Sequence, residues 1–577
     1  MLRSAVPLAL ILAASALPGC SAEAEPVAED SSAQTSFTPR VGPKEFRDDF
    51  YTYLARDGVS EAKAKKLVYL TPPQVIRPPN VRPGAGDDAV GPYDRFFSAV
   101  RPSTLYDYGV SQPMRPVADI ESTFARSGPI HVILLPGIFG EFIEDRPFEE
   151  LLSRQGSSAA RAWKTIAARA RGTAQGKVSA YRLSSLRHED VPIDEAIDVA
   201  SIDDASGAPL VTLAFMRPKA GSLETLGSLD DSTQTYLPRI DRYTALMGRP
   251  KNLVIMGYSR GAPVALDVVA SAAKARGAHP WVDDVAGVAS LAGVLYGTGL
   301  ADATKAPGNG TGAMIQEIAD LAAHLRSCDP ARPLHEAAWA RSENTARWTA
   351  SIAKIAWLMS RLPKHPEIDA ERIASATADL GRFAKLIQRI VFDDALNLDD
   401  PLGDYCGNIE RFKKMVTMTL RGVDSLTTAS RLAWWRTHVL PPGTRVFSVT
   451  ATMGDATRGG HAWPLATDAE VNDTRSVDFK SLRTNFYDLF DASGLDLNDS
   501  QVTLPRARIW PELHPVLNPG QAPIKAYFMG ALGTHHWGLA FPRAIPTQDG
   551  LRGNPFPRTA LMQAMGTFVS QAIVSER

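Results

Sequence analysis

The chain has 577 residues, 44% of them hydrophobic and 22% charged, an ordinary globular composition. That length suits one large domain with insertions, or two or three smaller domains. Its 62 lysines and arginines nearly balance 63 aspartates and glutamates, and no basic run is interleaved with aromatics. Nothing in the charge therefore calls for a nucleic-acid partner.

Arg3 supplies a short positive start, and Ala5 to Ala16 is an apolar run too short to cross a bilayer as a mature helix. The run ends in Leu17-Pro18-Gly19-Cys20, which resembles the lipobox of bacterial lipoproteins. The resemblance implies a signal peptide over residues 1–19, cleavage before Cys20 and lipidation of Cys20. The mature protein would then be exported and lipid-anchored to a membrane of the cell envelope, in the periplasm or at the outer membrane. Residues 20–45, rich in Ala, Ser, Glu and Pro, read as a disordered tether. With Cys20 set aside, Cys328 and Cys406 remain. An even pair in an exported protein points to one disulfide, with two buried thiols as the alternative.

Residues 46–128 read as an irregular N-terminal extension, punctuated by Thr71-Pro72-Pro73 and Arg77-Pro78-Pro79. Strands are then predicted at Ile130 to Leu135, Leu210 to Met216, Asn252 to Met256, Val285 to Leu291, Arg445 to Ala451 and Ile524 to Met529. Helical spacing fills Asp231 to Met247 and Pro263 to Arg276. The alternation predicts an α/β fold, a mostly parallel sheet with helices on both faces, built from residues 129–302 and 441–577. Between them, residues 303–440 hold no strand pattern. Trp348, Ile352, Ile355, Met359 and Leu362 recur at steps of three and four, as do Ile373, Leu380, Phe383, Ile387 and Ile390. This is a large helical insertion, a cap or lid over the sheet, whose stripes are at least its own core.

The chemistry centres on Gly257-Tyr258-Ser259-Arg260-Gly261. With 43 glycines in the chain, roughly 0.2 Gly-x-Ser-x-Gly motifs are expected by chance. The context is what distinguishes this one. It follows the strand ending at Met256 and runs into a helix that has Pro263 in its first turn, where a missing N–H costs nothing. Strand, sharp turn and helix are the setting in which a nucleophilic serine is presented. On these residues the chain resembles the α/β-hydrolase superfamily, its bacterial lipase and esterase branch, over roughly residues 130–300 and 444–541. The resemblance implies that Ser259 is a nucleophile.

The turn Pro136-Gly137-Ile138-Phe139-Gly140 is similar to the His-Gly-x-x-Gly turn of lipases, with Pro136 in place of the histidine. By that resemblance the Ile138 and Arg260 amides form the oxyanion hole. Residues 293–302 resemble a further lipase segment but lack its Pro-His pair, and support the topology alone.

In the superfamily the acid and then the histidine follow the serine. His535 and His536 lie beyond the last predicted strand, and the motif favours His536 as base with His535 as runner-up. His461 and His514 read as surface or structural residues. Asp499, in Asn498-Asp499-Ser500-Gln501-Val502, resembles the Asn-Asp-Gly-x-Val segment of bacterial lipases, with Ser500 replacing Gly. Asp455, directly after the strand ending at Ala451, is the alternative acid.

The expected activity is hydrolysis of a carboxylic ester, lipid-like or otherwise, through an acyl-enzyme, with Ser259, His536 and Asp499 as catalytic residues. That chemistry needs no cofactor, and no compact His/Cys/Asp/Glu cluster in the sequence has zinc-like spacing. An acyltransferase or thioesterase with the same residues is the second reading. A catalytically dead, lipid-anchored scaffold is the third.

Overall fold

The computed structural model describes residues 41–60, 115–138, 197–218, 223–305, 310–328, 334–359, 403–452, 497–511, 513–520, 524–541 and 556–576, with short pieces between them. Cys20, Asp455, His461 and the apolar stripe from Leu362 to Ile390 lie outside the described residues.

In chain order the strands are β1 (Val68–Tyr69), β2 (Ile130–Leu135), β3 (Lys177–Arg182), β4 (Arg187–Pro192), β5 (Ile197–Asp203), β6 (Pro209–Met216), β7 (Leu253–Tyr258), β8 (Val285–Leu291), β9 (Arg445–Thr452), β10 (Lys525–Gly533), β11 (Ile545–Thr547) and β12 (Gly550–Arg552). Eight of them form one sheet in the order β1-β10-β9-β8-β7-β2-β6-β5, while β3–β4 and β11–β12 are separate pairs. From β6 to β10 every pairing is parallel. Only the edge strands β1 and β5 run antiparallel to their neighbours.

All six predicted strands are present, with ends shifted by up to four residues. β5 was not predicted. It carries Asp198 and Asp203 on a half-exposed sheet edge, so its hydrophobic pattern is diluted. The N-terminal extension is not wholly irregular either: Pro43–Arg56 is a helix (α1), which begins within the expected tether.

Side chains alternate across the central strands, and both faces are apolar because both are covered. Ile133, Leu135, Leu253 and Ile255 face one core, built with helices α2 (Leu229–Met247) and α3 (Gly261–Lys274). Val132, Leu134, Val254 and Met256 face the other, covered by α1 and the C-terminal helix Arg558–Ser575. That last helix is buried nearly all round, and Tyr53 and Thr567 hydrogen-bond across its contact with α1 at 2.8 Å. Ser228 caps α2 by accepting the Asp231 N–H while the Asp231 carboxylate accepts the Ser228 N–H, at 3.2 and 2.8 Å.

Among the described residues the insertion is helical: α4 (Gly310–His324), α5 (Leu334–Met359), α6 (Gly403–Asp424) and α7 (Thr428–Thr437). The first three share a core of their own, in which Ile355 is buried and Trp348 and Ile352 pack at the margin. A Cys328–Cys406 disulfide joins the segment after α4 to α6. By contrast, α7 belongs to the main core: Leu432, Trp434 and Trp435 pack with α2 and α3. The cap therefore ends earlier than its expected boundary at residue 440. No helix among the described residues is long and apolar enough to cross a membrane.

Candidate active site

β7 delivers Ser259 at the C-terminal edge of the parallel sheet, immediately before α3. Its φ is +55°, a left-handed conformation that a side-chain-bearing residue occupies only at a cost of about 1–3 kcal/mol. Hydrogen bonds hold it there. The Ser259 N–H donates to Leu291 O at 3.0 Å, and its carbonyl accepts from Ala262 and Val294 at 3.1 and 3.3 Å.

The flanking glycines are dictated by contact. A methyl group on Gly257 would overlap the Gly261 carbonyl, and one on Gly261 would lie 2.5 Å from Leu135 O. The turn after β2 is thus pressed against the serine turn. On its far side a Cβ at Gly137 would lie 3.2 Å from the Ser259 Cβ. Ile138 and Ser259 line the same cavity. Arg260, at the N-cap of α3, carries one of the helix N–H groups that lack an intrahelical acceptor.

Asp499 and His536 meet directly. His536 Nδ1 donates to Asp499 Oδ2 at 2.6 Å, and the His536 N–H donates to Asp499 O at 2.9 Å. The other carboxylate oxygen accepts the N–H groups of Gln501 and Val502 at 3.0 and 2.8 Å. Ser500 makes the turn with a φ of +82°, the conformation for which glycine is the usual residue. Both Asp499 and His536 are 1% exposed.

The far ring nitrogen of His536, Nε2, is buried without a hydrogen-bond partner among the described residues. His536 meets the serine turn through Tyr258, whose hydroxyl donates to His536 O at 3.0 Å and whose ring centroid lies 5.1 Å from the imidazole. There is no Ser259–His536 hydrogen bond among the described residues. Such bonds often form only once substrate is bound. Tyr258 was not singled out from the sequence, where it occupies a variable position of the motif.

His535 is oriented differently: its Nδ1 accepts the Gly538 N–H at 3.2 Å. Burial, and secondarily its neighbour His536, push its pKa down to about 3. It stays neutral, and among the described residues no hydrogen bond joins its ring to Asp499. His514 is structural. Tyr296 OH accepts the Trp510 N–H at 3.1 Å and turns its proton to His514 Nε2 at 2.9 Å, and burial holds this imidazole at a pKa of about 3.

The cavity at Ser259 has a volume of about 70 Å³. Its walls come from the Ile138 turn, the segment after β8 (Val294 and, in the short helix Gly299–Ala303, Leu300), helices α4 (Ile315) and α6 (Leu420, Val423), and the Asp499 loop (Val502). Three threonines also line it, and each spends its hydroxyl on a backbone carbonyl: Thr298 on Gln501, Thr304 on Ala301 and Thr419 on Met415, at 2.5–2.8 Å. The cavity is accordingly apolar. Among the described residues no group of three or more His, Cys, Asp or Glu side chains could hold a metal ion.

The strand order, the left-handed serine between β7 and α3, and the late Asp and His beyond β9 and β10 together define an α/β-hydrolase fold. No protein-family model matches the chain, and no curated protein matches it. Among solved structures it is similar to a metagenomic carboxyl esterase, at 14% identity over 92% of each chain with a TM-score of 0.38. It is also similar to the mature form of a Bacillus licheniformis lipase, at 11% identity over 71% of this chain and 85% of that one, with a TM-score of 0.26.

Proposed function

We propose that the protein is a serine hydrolase that cleaves carboxylic esters carrying a short aliphatic acyl group. Ser259 Oγ attacks the ester carbonyl as His536 Nε2 takes its proton. The bond to the alcohol then breaks as the imidazolium returns that proton to the leaving oxygen. Water, deprotonated by the same nitrogen, next attacks the acyl-enzyme, and the bond to Ser259 Oγ breaks as the imidazolium returns the proton to that oxygen, releasing the acid and restoring Ser259. Asp499 holds the imidazole with its proton on Nδ1 and stabilises the imidazolium without being protonated itself. The Ile138 and Arg260 amides stabilise the oxyanion of each tetrahedral intermediate.

The observation that carries this reading is the His536–Asp499 hydrogen bond, with the opposite ring nitrogen unpaired among the described residues and the histidine tied through Tyr258 to the turn that holds the strained Ser259. The apolar cavity supports the acyl preference, since a wall without available hydroxyls rewards burial of methylene groups by about 0.8 kcal/mol each. A series of p-nitrophenyl esters from acetate to palmitate tests it. Turnover is expected to peak among the short acyl chains and to vanish in Ser259→Ala. Activity that peaks at palmitate rejects the short-chain preference.

A further inference from the structure

The two amides assigned to the oxyanion lie on separate turns, Ile138 after β2 and Arg260 after β7. Their spacing must be held to a fraction of an ångström for both to reach one oxygen. A single loop, residues 223–228, is fastened to both turns. Thr225, fully buried, accepts the N–H of Gly140 on its Oγ1 at 3.0 Å, two residues beyond Ile138. The Arg260 guanidinium reaches the other end of the loop, donating to the carbonyls of Gly227 and Ser228 and to Ser232 Oγ.

The loop is itself anchored. Glu224 forms a fully buried ion pair with Arg239 of α2 at 2.6 Å, and its carbonyl accepts from Ser232 Oγ at 2.9 Å. Cap helix α6 rests on the same loop at Gly422, where a methyl group would overlap Leu226 O.

We propose that Thr225 is a positioning residue for the oxyanion hole: through Gly140 it sets where the Ile138 amide stands relative to that of Arg260. This rests on the proposed serine-hydrolase reading and adds to it a residue outside the motifs. Misplacement of one donor acts on the tetrahedral state, where the oxygen carries charge, and hardly on the bound ester. Removing the acceptor alone is therefore expected to lower kcat and leave KM nearly unchanged.

Thr225→Val keeps the shape and deletes the hydroxyl, and Thr225→Ser restores it. With a soluble short-chain ester, Thr225→Val is expected to lose about 10- to 100-fold in kcat, with KM within about twofold. It should lose affinity by a similar factor for a trifluoromethyl ketone, which forms a charged tetrahedral adduct on the serine. Thr225→Ser is expected to recover most of both. Unchanged kcat in Thr225→Val, with Ser259→Ala inactive, overturns the role of Thr225 and leaves the hydrolase reading standing. Full activity in Ser259→Ala overturns that reading itself. If valine prevents folding, Thr225→Ala takes its place. Unchanged kcat per folded molecule there, or no recovery in Thr225→Ser, also overturns the proposal.

Discussion

His536 and Asp499 are joined twice, side chain to side chain at 2.6 Å and backbone to backbone at 2.9 Å. The second bond fixes the loop that carries the histidine, and the first fixes its ring. Two further N–H groups on the other carboxylate oxygen keep Asp499 from rotating away. The carboxylate is thus committed to one orientation before any substrate arrives.

Asp499→Asn is therefore expected to lower kcat by about 10³- to 10⁴-fold, because an amide stabilises neither the required tautomer nor the imidazolium. Asp455→Ala is expected to stay within a fewfold of the parent. Steady-state turnover of both variants on one ester checks the assignment. The reverse pattern would move the acid to Asp455.

Two buried histidines, His514 and His535, and the half-buried His131 make stability fall with acid. An imidazole in the unfolded chain takes a proton near pH 6.5. In the fold, burial delays this to about 4 for His131 and about 3 for His514 and His535. Between those values the unfolded state binds more protons. Each group's stabilising effect is then complete above about pH 6.5 and declines as pH drops, by up to about 1.4 kcal/mol per pH unit. Urea unfolding at pH 7, 6 and 5 is expected to show this decline, and a shallower one in His514→Gln. Parallel curves for the two proteins would contradict it.

The Cys328–Cys406 bond closes a loop spanning 78 positions and joins the segment after α4 to α6. Replacing both cysteines by serine is expected to cost about 2–5 kcal/mol of stability. Because α4 and α6 both wall the cavity, the variant should also discriminate less sharply between acyl chain lengths. Denaturant melts and the p-nitrophenyl ester series, with and without reductant, check both effects.

Much of this was legible in the sequence because local chemistry fixed it. The strands β2, β7 and β8 are buried on both faces and so read as unbroken apolar runs. The elbow glycines admit no side chain, which makes Gly257 and Gly261 visible as a motif. Asp499 stood out through the likeness of its segment to the Asn-Asp-Gly-x-Val stretch of lipases, and that segment is closed locally, with two N–H groups on the Asp499 carboxylate and Ser500 in the left-handed conformation. Other features depend on contacts between distant segments. Thr225 meets Gly140 across 85 positions and Tyr258 meets His536 across 278, and no local pattern announces either. The reach of α7 into the main core was hidden for the same reason, since Trp434 and Trp435 look alike in a cap and in a core.

Leu420 and Val423 on α6 contribute to the wall of the cavity at Ser259. Leu420→Ala and Val423→Ala are expected to move the optimum toward longer acyl chains by about two to four carbons, since each truncation opens space for apolar atoms. Thr419→Leu should shift it the other way. An unchanged profile in all three would place acyl binding elsewhere.

The most direct measurement is covalent capture of the nucleophile. Folded protein is treated with a fluorophosphonate probe, and the modified residue is located by peptide mass spectrometry. A single adduct on Ser259 is expected, formed more slowly while a short-chain ester is present at saturating concentration and absent from Ser259→Ala and His536→Ala. No adduct on Ser259, or ester hydrolysis that persists in Ser259→Ala, would contradict a serine-hydrolase mechanism at this site.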